Sequence, residues 1–260
     1  MPYQRLIVER QNSVLRVTLN RFEARNALDA LAMDELSRAF RDAAKDSDIR
    51  VAVLSGAGSD FCAGGDLVWM SQCARAPMAK NKKEAQRLLD MFVAIDEAPF
   101  AVVAKVQGNC FGAGLGLIGA CDVVVAASDS RFAFSEAKLG LIPAVVSTFV
   151  IPKIGFGQAR RLYVTAQIFS AQFGQDIGLV HEIADAAGLE NKVQQTIVHV
   201  LSTAPGTTAL SKAYLRQFEG LNRKGRVANA VNALAKIRAT PQAKEGFTAF
   251  FEKRQPKWSL

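Results

Sequence analysis

Alternating apolar and polar positions open the chain. Leu6-Ile7-Val8 leads to Gln11-Asn12-Ser13, then to Val14-Leu15-Arg16-Val17-Thr18-Leu19. Period-two alternation on both sides of a polar turn predicts a hairpin over residues 4–19. Asp29 precedes Ala30-Leu31-Ala32-Met33-Asp34-Glu35-Leu36, whose spacing predicts an amphipathic helix to about Lys45. An Asp oxygen there can satisfy free N–H groups of the first turn. The next strand falls at 49–55, and strand, helix and strand repeat through residue 127. That order is the pattern of a parallel βαβ sheet.

Between Asp66 and Glu84 the periodicity weakens, through Ala76-Pro77 and Lys80-Asn81-Lys82-Lys83. This stretch reads as an exposed, mobile segment entering a helix at Ala85–Ile95, where Leu88, Leu89, Phe92 and Ile95 share a face. Beyond residue 150 the character turns helical. Short helices are predicted at Gly157 to Thr165 and Ala171 to Ile177, then one near 189–203. Pro205 breaks the chain before helices at 207–219 and 225–238. A last helix runs from about Pro241 to Lys253, with Phe247, Phe250 and Phe251 on or near one face.

With 260 residues, half of them apolar, the chain can bury a sizeable core as one large domain or a domain with a small appendage. No basic region followed by an apolar core stands at the start, so a secretory signal is not expected. Residues 101–127 are apolar enough to suggest a membrane span, but Lys105, Gln107, Asn109 and Asp122 interrupt them. A buried strand-turn-helix is the reading, and no membrane partner is expected.

Cys62, Cys73, Cys110 and Cys121 form no C-x-x-C pair, and His181 and His199 are the only histidines, so no metal ligand set is expected. Reduced, mostly buried thiols fit a cytoplasmic protein. The net charge of +8 is concentrated: residues 206–260 hold 11 Lys and Arg against 3 Asp and Glu. Such a segment could meet nucleic-acid phosphates. It lacks aromatic stacking motifs, so an anionic small ligand or a solvated face is the preferred reading.

Two small-residue stretches carry the candidate chemistry: Phe61-Cys62-Ala63-Gly64-Gly65-Asp66-Leu67 and Gly108-Asn109-Cys110-Phe111-Gly112-Ala113-Gly114-Leu115-Gly116. Each follows a strand-like apolar run. Small residues let backbone N–H groups approach a ligand closely. Two N–H groups aimed at one carbonyl oxygen would form an oxyanion hole.

Those stretches, together with Cys121-Asp122, Phe134-Ser135-Glu136-Ala137, Leu139-Gly140-Leu141-Ile142-Pro143 and Asn20-Arg21-Phe22-Glu23-Ala24-Arg25-Asn26-Ala27-Leu28-Asp29, resemble the crotonase superfamily. This is the enoyl-CoA hydratase/isomerase family, and the likeness covers nearly the whole chain. It implies an α/β fold: a crotonase-like ββα spiral core over 1–200, and a C-terminal helical trimerisation region over 201–260. It implies a homotrimer or homohexamer. The expected ligand is an acyl-CoA thioester, with coenzyme A as part of the substrate and no separate cofactor.

By the same resemblance, the oxyanion donors are the N–H groups of Gly65 and Ala113. Ala63, Gly64, Asp66 and Leu67 fall where the family's backbone holds adenine and pantetheine. Arg25 and Ala27 resemble the nucleotide-binding turn. Lys253 stands where some relatives reach a neighbouring subunit's coenzyme A, and the 67–90 stretch suggests an acyl-chain wall. Glu136 matches one of two carboxylates usual in hydratases. The other position is Gly116, which has no acid. One acid suits double-bond isomerisation by shuttling a proton between C2 and C4. The Gly114-Leu115-Gly116-Leu117 and Pro143-Ala144-Val145-Val146-Ser147 stretches instead look like branched-chain hydratases of the methylglutaconyl and carboxygeranoyl type. Hydratase is the expectation and isomerase the alternative. A catalytically idle fold that binds RNA or acts as a scaffold through the basic C-terminal segment is a third reading.

Overall fold

In the computed structural model, which describes residues 2–259, β1 (Leu6–Gln11) and β2 (Val14–Leu19) pair antiparallel, Gln11 opposite Val14. Leu15, Val17 and Leu19 point inward and are buried, as the alternation requires. The helix α1 (Ala30–Ala43) starts at Asp29, whose side chain accepts the Ala32 N–H at 2.8 Å. Its buried stripe, Ala32, Met33, Leu36, Ala39, Phe40 and Ala43, recurs at helical spacing.

The chain then continues as β3 (Val51–Gly56), α2 (Leu67–Arg75), α3 (Met78–Asp96), β4 (Ala101–Val106), β5 (Asn109–Phe111), α4 (Ala113–Ala120), β6 (Val123–Ala127) and β7 (Arg131–Ala133). Next come α5 (Ala144–Thr165), β8 (Phe169–Ser170), α6 (Ala171–Asp176), β9 (Glu182–Ala184) and α7 (Leu189–Leu201). A six-stranded sheet has the order β1-β2-β3-β4-β6-β9, and every pair after the first hairpin is parallel. A second sheet has the order β5-β7-β8. Strands β4 to β7 alternate between the two sheets, and each turn advances one place in order. The product is a spiral rather than an open doubly wound sheet. Its strands read as nearly continuous apolar runs because helices cover them: in β3 and β4 all but Ser55 and Lys105 are buried.

One expectation is corrected. Residues 67–75 and 78–83 are helical, not an irregular connector. Asp66 caps α2 by accepting the Trp69 N–H at 2.9 Å, and Trp69 Nε1 donates to Glu84 Oε2 at 3.1 Å, tying α2 to α3. Pro77 separates the two helices and sits at the N-cap of α3. The helix expected at Gly157 to Thr165 is present as the second half of α5; a further helical half from Ala144, not foreseen in the sequence, precedes it, and the non-helical Gly155 (φ 72°, ψ 162°) breaks the backbone between the two.

By contacts the chain divides into two units, Met1–Thr196 and Ile197–Leu260. The first contains both sheets and the hydrophobic core. The second contains α8 (Thr207–Glu219), α9 (Arg223–Arg238) and α10 (Pro241–Phe251). Its helices leave much apolar surface open: Val231 is 66% exposed and Phe250 and Phe251 are 77% exposed each. The three aromatics of α10 are therefore not protomer core. No helix among the described residues is long and apolar enough to cross a membrane.

Candidate active site

The two small-residue turns are stitched together by backbone. Cys62 and Cys110 form a parallel bridge, in which the Cys62 N–H donates to the Asn109 carbonyl (3.1 Å) and the Phe111 N–H to the Cys62 carbonyl (2.9 Å). Buried Asp60 strengthens the seam: its Oδ1 accepts from the Asn109 N–H at 2.9 Å and from Asn109 Nδ2 at 2.5 Å. This register sets Gly64 against the second turn. Gly64 has φ +106°, and a Cβ there would lie 3.1 Å from the Phe111 carbonyl oxygen and 3.7 Å from the Ala113 nitrogen. Both the dihedral and the close approach call for glycine.

The direction of the N–H groups follows from the same pairing. Gly65 sits opposite Leu28 in a parallel bridge. The bonds come from its neighbours, Leu28 N–H to the Gly64 carbonyl (2.8 Å) and Asp66 N–H to the Leu28 carbonyl (2.9 Å). The Gly65 N–H is thus directed away from this ladder. Ala113 is the first residue of α4, where N–H groups have no intrahelical acceptor. The helix dipole adds positive potential at that end.

Glu136 follows β7 in a 3₁₀ turn, Ser135–Leu139. It lies beside the second turn, because a Cβ on Gly112 would stand 3.6 Å from both Glu136 Oε1 and Ser135 Oγ. Glu136 Oε2 is buried and has no hydrogen-bond partner among the described residues. Burial raises the carboxyl above its ordinary range, although its own backbone N–H works weakly against that.

The enoyl-CoA hydratase/isomerase profile matches residues 9–260. The chain belongs to that family. Its fold is the crotonase fold. An enoyl-CoA hydratase structure from Shewanella pealeana superposes with a TM-score of 0.94 at 32% identity, covering 98% of this chain and 96% of that one. The 2,3-dehydroadipyl-CoA hydratase of Escherichia coli K12 is 31% identical over 252 residues, 96% of this chain and 97% of its own length. The short-chain-enoyl-CoA hydratase of Clostridium acetobutylicum is 28% identical over 257 residues, 98% and 97% of the two chains.

In this family member, the segment expected to form a nucleotide-binding turn lies directly against the first glycine turn. Arg25 has φ +52°, and its carbonyl accepts the Ala63 N–H at 2.9 Å. Arg21, half hidden, donates to the Ala27 carbonyl (3.1 Å) and to Asp66 Oδ2 (2.6 Å), so it joins both turns. Burial alone would raise the Asp66 carboxyl, but the Trp69 N–H and the Arg21 guanidinium outweigh it and hold it below the usual range. Buried Asn26 accepts from the Arg21 N–H (3.0 Å) and donates to the carbonyls of Ala57 and Asp60, both at 2.8 Å. Leu67 is 64% exposed on α2. Arg21, Asn26 and Asp60 were not singled out from sequence. Nothing local in the sequence shows that Asn26 bonds to the carbonyls of Ala57 and Asp60 in the turn Ala57-Gly58-Ser59-Asp60, or that Arg21 reaches Asp66.

Lys253 lies in the second unit, just past α10, at φ +52°. The other residues named as site candidates are in the first. Gly116 is buried in α4, and a Cβ there would come within 2.3 Å of the Phe92 ring. An aromatic ring therefore fills the place where a second acid would begin. Cys62 and Cys110 lie at the seam of the two turns, yet burial pushes the Cys62 thiol up to about 12 and the Cys110 thiol well above its ordinary value. They are packing residues, not nucleophiles. No group of three or more metal-ligating side chains occurs among the described residues.

Proposed function

We propose that this family member is an enoyl-CoA hydratase, reversibly adding water to a 2-enoyl-CoA with a branched acyl group. The observation that carries the reading is Glu136: a half-buried residue whose Oε2 is buried and unpartnered, next to a turn whose leading N–H is open. The thioester oxygen lies between the Gly65 and Ala113 N–H groups, which stabilise the enolate as charge develops on it. Glu136 takes a proton from water as its oxygen bonds to C3, and the C2=C3 electrons move onto the thioester oxygen. The same carboxyl then returns the proton to C2, so the enzyme is unchanged. A raised pKa suits a group that must both accept and donate.

Ala63, Gly64, Asp66 and Leu67 line the coenzyme A arm, with Arg25 and Ala27 at the nucleotide. Lys253 meets the coenzyme A of a neighbouring copy. The exposed apolar faces of α9 and α10 favour a homotrimer or homohexamer. Coenzyme A enters as substrate, and no further cofactor is required. Buried free thiols suit the cytoplasm.

Isomerisation between 3-enoyl- and 2-enoyl-CoA is the second reading, favoured by the single acid and by Phe92 closing the other position. Incubation with a panel of 2-enoyl- and 3-enoyl-CoA thioesters, with products followed by mass, separates the two. Gain of water on a 2-enoyl-CoA supports the hydratase. Double-bond migration without any hydration supports the isomerase. An idle RNA-binding or scaffold role predicts neither reaction, together with salt-dependent RNA binding through residues 206–260.

A further inference from the structure

Hydration by one carboxyl leaves a geometric problem. The attacking water must be held at C3 as well as deprotonated, and Glu136 supplies one contact. At the other position usual for an acid, Gly116 has no side chain and the Phe92 ring beside it has no polar atom.

The polar atom that shares the Glu136 position belongs to its own neighbour. Strands β5 and β7 run parallel with Phe111 opposite Ala133, and the Gly112 N–H donates to the Ala133 carbonyl at 2.9 Å. The two chains therefore leave the sheet side by side, Gly112-Ala113 from one and Phe134-Ser135-Glu136 from the other. Successive side chains in a 3₁₀ turn point about 120° apart. Ser135 and Glu136 nonetheless both reach Gly112: a Cβ there would stand 3.6 Å from Ser135 Oγ and 3.6 Å from Glu136 Oε1. Gly112 has φ +48° and directly precedes Ala113, whose N–H is the second proposed oxyanion donor. A hydroxyl, a carboxyl and an oxyanion donor thus meet around one glycine.

Ser135 is half-buried, and its Oγ makes no hydrogen bond to any described residue. Other serines of the core unit are tied up: Ser130 Oγ donates to the Val106 carbonyl and Ser147 Oγ to the Pro143 carbonyl. A hydroxyl without such a tie can accept a hydrogen bond through either lone pair.

We propose that Ser135 is the second holder of the attacking water, the part left open by the glycine at 116. The water gives one proton to the Glu136 carboxylate and hydrogen-bonds the other to Ser135 Oγ, which leaves a lone pair directed at C3. The bond-making is as above: the water oxygen bonds to C3, one proton passes through Glu136 to C2, and the serine neither gains nor loses one. This rests on the hydratase reading.

The test compares two reactions of the same site. Hydration of a 2-enoyl-CoA needs the held water. Exchange of the C2 proton of butyryl-CoA in D₂O needs only Glu136 and the oxyanion donors, and it also reports that a variant is folded. Ser135→Ala should lower the hydration kcat about 5- to 30-fold, the rate equivalent of one lost hydrogen bond. KM for the 2-enoyl-CoA and the rate of C2 exchange should stay within twofold. Unchanged hydration in Ser135→Ala overturns the inference and leaves the hydratase reading standing. So does an equal fall in hydration and exchange, which would mean that Ser135 places Glu136 or supports the turn rather than holding water. If wild-type protein exchanges the C2 proton but hydrates no 2-enoyl-CoA, the hydratase reading fails and the inference fails with it.

Discussion

The Phe92 ring occupies the first step of any side chain at Gly116: a Cβ there would stand 2.3 Å from the ring's Cζ and 2.7 Å from Cε2. Phe92 is fully buried and packs edge-on against Phe149 at 5.3 Å, so it cannot swing away freely. The two positions act as one packing unit. Gly116→Ala is expected to destabilise the protein by about 1–3 kcal/mol, the usual cost of overpacking. Gly116→Glu should cost more, because it also buries a carboxylate. Adding Phe92→Leu to Gly116→Ala should recover part of the loss, although Phe92→Leu alone is destabilising. Urea melts of the four proteins check this coupling. Additive effects would show that Phe92 does not restrict position 116.

Gly65→Pro removes one of the two proposed oxyanion donors without touching Glu136. Turnover should fall at least by the factor of about 10²–10³ seen when one such donor is lost. A Cβ at this position would first meet Met70 Sδ at 2.9 Å, the far part of a flexible side chain. The protein should therefore still fold, as circular dichroism would show. A folded variant with wild-type turnover removes Gly65 from the hole.

Arg21 links the Asp66 carboxylate to the Ala27 carbonyl, with the two charged side chains only 20% and 12% exposed. Removing one partner of a buried pair costs up to about 3–5 kcal/mol, and residual solvent places this pair at the low end. Arg21→Met should lower the melting temperature and raise KM for the acyl-CoA more than it lowers kcat, since both turns proposed to hold coenzyme A lose their tie. A drop in kcat with KM unchanged would assign Arg21 to the chemistry instead.

Much of this was legible in residue order, but unevenly. The hairpin, α1 and the parallel repeats follow from spacing, because one face of each element is buried. The spiral does not: strand alternation between two sheets is invisible to periodicity, and it came through the family likeness. The start of α3 escaped because Lys80, Lys82 and Lys83 face outward and present no apolar period, and α2 escaped because it has no fully buried stripe. The first half of α5 escaped because Val145-Val146, Val150-Ile151 and Pro152 favour other structures locally. Within the site, Gly64, Gly65 and Glu136 could be picked out by residue type and neighbours. The approach of Tyr163 to Ser147 could not: it depends on the kink at Gly155, and only tertiary structure shows where that kink sends the chain.

Glu136→Gln isolates the carboxyl in two measurements. The amide keeps size but cannot accept a proton from water, so turnover should fall by about 10²–10⁴ with the fold and coenzyme A binding kept. Activity within threefold of wild type would move the acid/base role elsewhere. The second measurement is stability against pH. Burial raises the folded-state pKa of Glu136 above its unfolded value, so the native state holds the proton more tightly than the unfolded chain. Its stabilising share is complete below the ordinary carboxylate range and is lost as pH rises through the raised folded value. Glutamine has no such dependence. The stability of Glu136→Gln relative to wild type should therefore increase from the ordinary carboxylate pKa up to the folded one, then level off. The lower limb of the wild-type kcat/KM profile should fall in that same window, since the ionised form is the one that accepts the proton from water. A flat stability difference across that range would mean that Glu136 is solvated in the folded protein and not poised for proton transfer.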